Sequence, residues 1–156
     1  MAWGFRMIFT RQQSDLQHSI NKMALPVFVV DQDCEGDFRV VALNKAHTRA
    51  TGLDLAAVVK KTPQMILPNK ADADFLVSRY QACVQRRKPI SYSTRLTYRD
   101  TIREISTILH PVILDGKAPT RLVGQVAVTA TIPKDTVKGA LGDQGILASP
   151  DIQAIE

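Results

Sequence analysis

Few side chains in this chain have the identity and spacing that catalysis or metal binding requires. Its 156 residues include three histidines and two cysteines, and neither Cys34 nor Cys83 lies at metal-ligand spacing from another candidate ligand. The sequence has no nucleophile elbow, phosphate-binding loop or catalytic carboxylate pair. Asp72 and Asp74 are two positions apart, on different sides of a predicted helix, and its positive first turn accounts for both. This pattern predicts a protein that is not an enzyme.

His47 has the most suggestive position of the three histidines. It follows Asn44 in a short predicted helix, and a neutral imidazole that faces a cavity can ligate a metal or bind a ligand. We favour the alternative, in which neighbouring backbone satisfies the ring. Cys83 lies on the apolar stripe of a longer helix and is interpreted as a small core residue.

Many hydroxyl groups fall on the last predicted strands, where they could orient a small ligand between apolar walls. Strand preference alone explains the threonines, and a fully packed core is an equally good interpretation. The hydroxyl positions are Ser91, Ser93, Thr94, Thr97, Ser106 and Thr107. The predicted cavity residues are Phe28, Leu43, His47, Leu76, Tyr80, Tyr92, Leu96, Thr107 and Leu109.

The composition is that of a globular protein, with 45% hydrophobic residues. Apolar runs are shorter than the roughly 20 residues that span a bilayer, and the cysteine usage favours a reduced, cytoplasmic compartment. The net charge is +5, but the basic clusters at 60–61 and 86–88 fall at predicted helix ends, where cations complement the helix dipole. We therefore favour solvated helix ends, and a regulator that contacts nucleic acid is an alternative.

An amphipathic helix is predicted over residues 11–24. Leu16, Ile20 and Met23 recur at i, i+4 and i+7, and Pro26 ends the helix. A lone amphipathic helix must bury its apolar stripe, either on its own sheet or against a second copy. We predict a homodimer in which these three residues form the contact.

Strands and helices alternate over the rest of the chain. A short helix is predicted between Asn44, whose side chain caps it, and Gly52, which supplies a left-handed end. Asp54 and Thr62 are predicted caps of two further turns, and Asn69 caps a long helix over about residues 70–87. The predicted strands are 27–30, 38–43, 90–98, 101–114 and 121–132, with a turn at Asp115 and Gly116.

Four fragments resemble PAS domains, the small sensor modules of bacterial signalling proteins. They are residues 25–31 as a first strand, Asn44 with Thr51-Gly52 as the next helix, 62–68 as a middle helix and 107–112 before the last hairpin. Their order and spacing cover about residues 20–133. Many members end in Asp-Ile-Thr, whereas this chain has Thr131-Ile132-Pro133, which suggests a module that stands alone.

The resemblance implies an α+β fold. It predicts a five-stranded antiparallel sheet in the order 2-1-5-4-3 with helices on one face, plus the N-terminal amphipathic helix. The chain then divides into an N-terminal segment and helix (1–24), a PAS-like domain (25–133) and a C-terminal tail (134–156), whose glycines and proline break any regular pattern.

The resemblance also implies a function. We expect a sensory or regulatory module in bacterial signal transduction that acts by protein–protein contact, on a histidine kinase or another regulator, with or without a small ligand. A haem or flavin sensor is the alternative. Light-sensing members carry a reactive cysteine on the middle helix, and haem-binding members often carry a histidine on the long helix. Residues 62–68 contain no cysteine and residues 70–87 no histidine, so we expect no cofactor.

Overall fold

An antiparallel sheet of six strands organises the protein. The computed structural model describes residues 8–114, 119–133 and 152–154, and its strands follow the order β2-β1-β5-β4-β3-β6. The strands are β1 Val27–Gln32, β2 Phe38–Leu43, β3 Ile90–Tyr98, β4 Thr101–Val112, β5 Arg121–Pro133 and β6 Ile152–Ala154. The helices are α1 Gln13–Asn21, α2 Lys45–Thr51, α3 Leu55–Val58, α4 Pro63–Ile66 and α5 Lys70–Arg86.

The first five strands confirm the predicted order 2-1-5-4-3. The sixth strand was not predicted, because a three-residue strand is too short to show a periodic pattern. It pairs with the start of β3, where Ile90 lies opposite Ala154 and Tyr92 opposite Ile152. The predicted turn at Asp115 and Gly116 lies outside the described residues, as does most of the tail.

Helix α1 packs on one face of the sheet, and α2 to α5 cover the other. Side chains alternate along a strand, so Val27 and Val29 of β1 face α1 while Val30 faces the opposite core. Leu16 is 1% exposed and Ile20 is 0% exposed, both within the α1 cluster. The chain's own sheet therefore covers two of the three residues predicted for the dimer contact, and the homodimer stays a prediction.

Single residues determine where α5 begins and where α2 ends. The Asn69 side chain accepts hydrogen bonds from the first turn of α5, and Gly52 ends α2 with a φ of 80°. Asp54 and Thr62 occupy the predicted N-cap positions, but their side chains make no capping bond. Among the residues that the structure describes, none of the helices combines the length and apolar character that a bilayer crossing requires.

The Asn44 side chain joins both faces of the sheet. It is fully buried, and its oxygen accepts from the backbone N–H groups of Val27 and His47 at 2.9 Å each. Its amide nitrogen donates to the carbonyls of Ile20 and Leu25, at 3.0 and 2.8 Å. One residue therefore holds the end of α1, the start of β1 and the start of α2.

An ion pair between the buried Arg121 and the partly exposed Asp31 fixes the N-terminal segment on the α1 side, and sequence analysis missed it. Arg121 makes two hydrogen bonds to the Asp31 carboxylate, at 2.7 and 2.9 Å. The same guanidinium donates to the carbonyls of Ile8 and Thr10. These four hydrogen bonds together offset the free-energy cost of burying the charged guanidinium.

We expect Asn44→Ala to lower the free energy of unfolding by roughly 3–5 kcal/mol, because several buried backbone groups lose their partner at about 1–3 kcal/mol each. Asn69→Ala is the matched control. It removes only an N-cap at the protein surface and should cost about 1 kcal/mol. Urea unfolding followed by circular dichroism measures both, and equal losses would contradict the central role of Asn44.

Candidate ligand-binding site

A cavity of about 90 Å³ lies between the inner face of the sheet and helices α2 to α5. Its walls are mainly apolar and aromatic. Eight of the nine predicted cavity residues line it: Phe28, Leu43, His47, Leu76, Tyr80, Tyr92, Leu96 and Thr107. Leu109, the ninth, is fully buried in the core, and its carbonyl accepts from Cys83. Ligand binding by these residues stays a prediction.

A glycine on β5 leaves room for the aromatic ring that forms one wall of the cavity. Gly124 lies opposite Phe28 in the register of β5 and β1. A Cβ atom at Gly124 would lie 2.1 Å from Cε1 of the Phe28 ring. The ring therefore occupies the space that any larger residue at position 124 would fill.

The His47 side chain is satisfied within its own helix and also faces the cavity. Its Nδ1 lies 3.1 Å from the Thr51 hydroxyl oxygen, and that hydroxyl donates to the His47 carbonyl at 2.9 Å. A hydroxyl has one proton to donate, so Nδ1 carries the proton of its bond to Thr51 and Nε2 keeps its lone pair. The Phe28 ring meets the imidazole edge to face, with centroids 5.8 Å apart.

Burial keeps three titratable residues of the cavity wall, His47, Tyr80 and Tyr92, uncharged at neutral pH. It lowers the pKa of His47 to about 4, because the charged imidazolium would lose its hydration. Burial also raises the pKa values of the Tyr80 and Tyr92 phenols. At neutral pH these three side chains offer hydrogen-bonding groups and no charge.

Two polar residues of the cavity have buried atoms without a partner. The Thr94 hydroxyl and the Arg103 Nε have no hydrogen-bond partner among the described residues, and both side chains line the cavity. An unpaired buried polar group costs about 1–3 kcal/mol, and more if it is charged. The sequence carried a signal for Arg103 that was overlooked, because period two places it on the same face as Ile105 and Thr107.

Asp72 and Asp74 were both explained by the positive first turn of α5, but the structure places them in different environments. Asp74 is solvated and pairs with Lys70, but Asp72 is fully buried. Burial raises the pKa of its carboxyl, and the nearby Thr97 backbone offsets part of that rise. Neither carboxyl oxygen reaches hydrogen-bond geometry with a described group. Asp72 does not belong to the cavity lining.

The two cysteines lie away from the cavity. Cys34 is exposed in the turn between β1 and β2. Cys83 is buried on α5, and its Sγ is directed at the carbonyls of Lys88 and Leu109, at 3.5 and 3.8 Å. Burial raises the pKa of this thiol to about 12, so it is not a nucleophile at neutral pH.

The fold is similar to solved LOV and PAS domains. The Rhodobacter sphaeroides LOV protein has a TM-score of 0.62 at 16% identity, over 87% of this chain and 70% of that one. The PAS domain of Bordetella pertussis BvgS has a TM-score of 0.59 at 17% identity, over 86% of this chain and 96% of that one. The LOV domain of the blue-light activated histidine kinase from Erythrobacter litoralis has a TM-score of 0.56 at 15% identity, over 70% and 99%. Neither a protein-family model nor a curated protein sequence matches the chain. These likenesses confirm the PAS fold.

The residues around the cavity do not fit a flavin or a haem. Its volume of about 90 Å³ is well below the roughly 300–1,000 Å³ of pockets that hold larger organic ligands. Neither cysteine lines it, and α4 carries no cysteine. His47 lines the cavity from the short helix α2, and the long helix α5 carries no histidine.

We expect the protein to lose stability on acidification through His47. The unfolded chain binds a proton near pH 6.5 but the folded chain only near pH 4, so stability falls as pH drops through this window. The loss between pH 7 and pH 5 should be about 2 kcal/mol. Urea unfolding at both pH values measures it.

Two histidine variants separate the contribution of His47 to this loss of stability from those of other titratable groups. His47→Gln should show a smaller loss on acidification, whereas His18→Gln, on the exposed side of α1, should keep the wild-type loss. Asp72 is present in all three proteins, so its opposite contribution cancels in the comparison. An unchanged loss in His47→Gln would contradict the assignment.

We expect the purified protein to show no visible absorption band, because the cavity does not fit a flavin or a haem. An absorption spectrum before heating and a fluorescence spectrum of the supernatant after heating measure this. A Soret band or released flavin would contradict it. If haem is present, His47→Ala tests whether that histidine is the ligand.

Proposed function

We propose that this PAS-fold chain is a non-enzymatic sensory module of bacterial signal transduction. In this proposal a small ligand occupies the cavity, and the chain acts by contact with another protein. The observation that carries the proposal is an apolar cavity whose wall includes two polar side chains, Thr94 and Arg103, with unmet hydrogen bonds. Polar groups without a hydrogen-bond partner in an apolar pocket are typical of a ligand site.

The elements above the cavity are suited to transmit occupancy. α3 and α4 have four residues each, and neither has a side-chain cap. Helices this short have little stability of their own and depend on the packing beneath them. Val58 of α3 and Ile66 of α4 line the cavity, so a ligand there would contact both helices and change their position.

The arrangement of the titratable groups supports a role without catalysis. Among the described residues, no group of three or more His, Cys, Asp or Glu side chains is placed to hold a metal ion. His47 donates to Thr51, which gives its own proton to a backbone carbonyl. That hydroxyl is therefore not activated as a nucleophile, since the imidazole does not accept its proton.

The proposal also includes the class of protein that this chain contacts. One similar structure belongs to a blue-light activated histidine kinase, and we propose a histidine kinase or another cytoplasmic regulator as the partner of this chain. We also propose a homodimer. Its contact cannot use Leu16 and Ile20 unless α1 leaves the sheet, because both side chains are buried there.

A variant with a filled cavity tests the link between the cavity and the partner. Ile105→Phe adds volume inside the cavity, and Ile108→Phe makes the same change on the exposed side of the same strand. We expect Ile105→Phe to change the amount of partner protein recovered with the tagged chain from source cells, and Ile108→Phe to recover the wild-type amount. Quantitative mass spectrometry measures recovery, and circular dichroism confirms folding. Equal recovery by all three proteins would contradict the proposal.

A further inference from the structure

We infer that the cavity binds a short-chain carboxylate anion, whose carboxylate group pairs with Arg103 and accepts a hydrogen bond from Thr94. This inference rests on the proposed function and names the chemical class of the ligand. The first observation is the charge of the side chains that line the cavity. Among the described residues that line the cavity, Arg103 is the one cation and none is acidic.

The protein supplies no anion to the Arg103 guanidinium. None of the described carboxylates lies within ion-pair distance of it, and its Nε is buried without a partner. The adjacent acidic residue, Glu104, pairs with a different arginine. It faces the other side of the sheet and pairs with Arg95, at 2.7 and 2.8 Å. An arginine fork matches carboxylate geometry well, so a carboxylate from outside the chain would supply the missing partner.

Thr94 lies where it can share the same carboxylate. It is 2% exposed and lies opposite Ile105 in the pairing of β3 and β4. Arg103 is two residues before Ile105, which makes Thr94 and Arg103 diagonal neighbours on the inner face. Diagonal neighbours in antiparallel sheets have Cβ atoms roughly 7–8 Å apart, a span that one carboxylate can bridge with its two oxygens.

The end of α2 helps to hold the cation at the cavity. An arginine nitrogen, Nη2 of Arg103, would lie 3.1 Å from a Cβ atom at Gly52, which is the C-cap of α2. The carbonyl end of a helix carries partial negative charge, so the guanidinium is attracted there. Gly52 also leaves the space that the guanidinium needs.

The rest of the cavity accepts an apolar body of limited size. An apolar cavity of about 150 Å³ binds benzene, which has six non-hydrogen atoms, so the 90 Å³ of this cavity would hold about four such atoms. The apolar walls include Phe28, Leu76 and Tyr80. His47 is neutral at physiological pH, so it neither repels nor neutralises the anion. Acetate and propanoate have about this size and this charge.

Isothermal titration calorimetry of the full chain with sodium acetate and sodium propanoate tests the inference. Acetamide and propanamide have nearly the same shape without the charge, and we expect them to bind at least tenfold more weakly. Arg103→Met should weaken binding of the acids roughly 30-fold or more, because a charge-assisted bond is lost. Arg95→Met makes the same substitution on the outer face and should leave affinity unchanged.

Thr94→Val gives a second, independent readout. It replaces an unpaired hydroxyl with a methyl group of the same shape, so it should raise the midpoint of thermal unfolding without ligand. It should also weaken binding of propanoate by roughly tenfold. A variant that is more stable but binds more weakly cannot be explained by loss of folding.

Three results would overturn the inference. Amides that bind as tightly as acids would show that charge has no role, although the ligand cavity of the proposed function would stand. Equal weakening by Arg95→Met and Arg103→Met would show a general effect of surface charge. Absence of binding by acids of two to four carbons would rule out this ligand class, and the comparison of Ile105→Phe with Ile108→Phe would then decide the proposed function separately.

Discussion

The two layers that flank the sheet depend on one buried amide. Asn44 is the residue at which β2 ends and α2 begins, and its side chain also bonds the end of α1 and the start of β1. An amide supplies one acceptor and two donors in a fixed plane, which a carboxylate or a hydroxyl does not. The position of α1 on one face and of His47 on the other are therefore consequences of the same side chain.

Strand alternation then assigns the remaining residues to two separate cores. Val29 packs under α1, while Val30 packs under α5 together with Tyr80 and Leu122. The α1 core is closed by apolar packing and by the Arg121–Asp31 pair. The other core is incomplete, because aromatic rings and short helices meet the sheet without filling the space between them. The cavity is thus the place where two rigid layers fit imperfectly.

Features with a local cause were predictable from the sequence, and features with a distant partner were not. The Asn44 cap and the Gly52 helix end follow from residues within a few positions of one another, whereas the strand order was predicted from the resemblance to PAS domains. The amphipathic pattern of α1 shows that Leu16 and Ile20 are buried, but a period of 3.6 residues cannot say on which surface. Most cavity residues were found from alternation along the strands. Arg121 was missed because its partners lie far away in the chain. Arg103 was overlooked although strand alternation places it on the cavity face.

The contact between Gly124 and Phe28 gives evolution a simple way to resize the cavity. Any side chain at position 124 would meet the Phe28 ring, and the open space next to the ring is the cavity itself. A single nucleotide change converts a glycine codon to an alanine codon, so one mutational step would shrink the space available to a ligand. Thr94 and Arg103 would keep their identity, so the size of the cavity could change without a change in the polar groups on its wall.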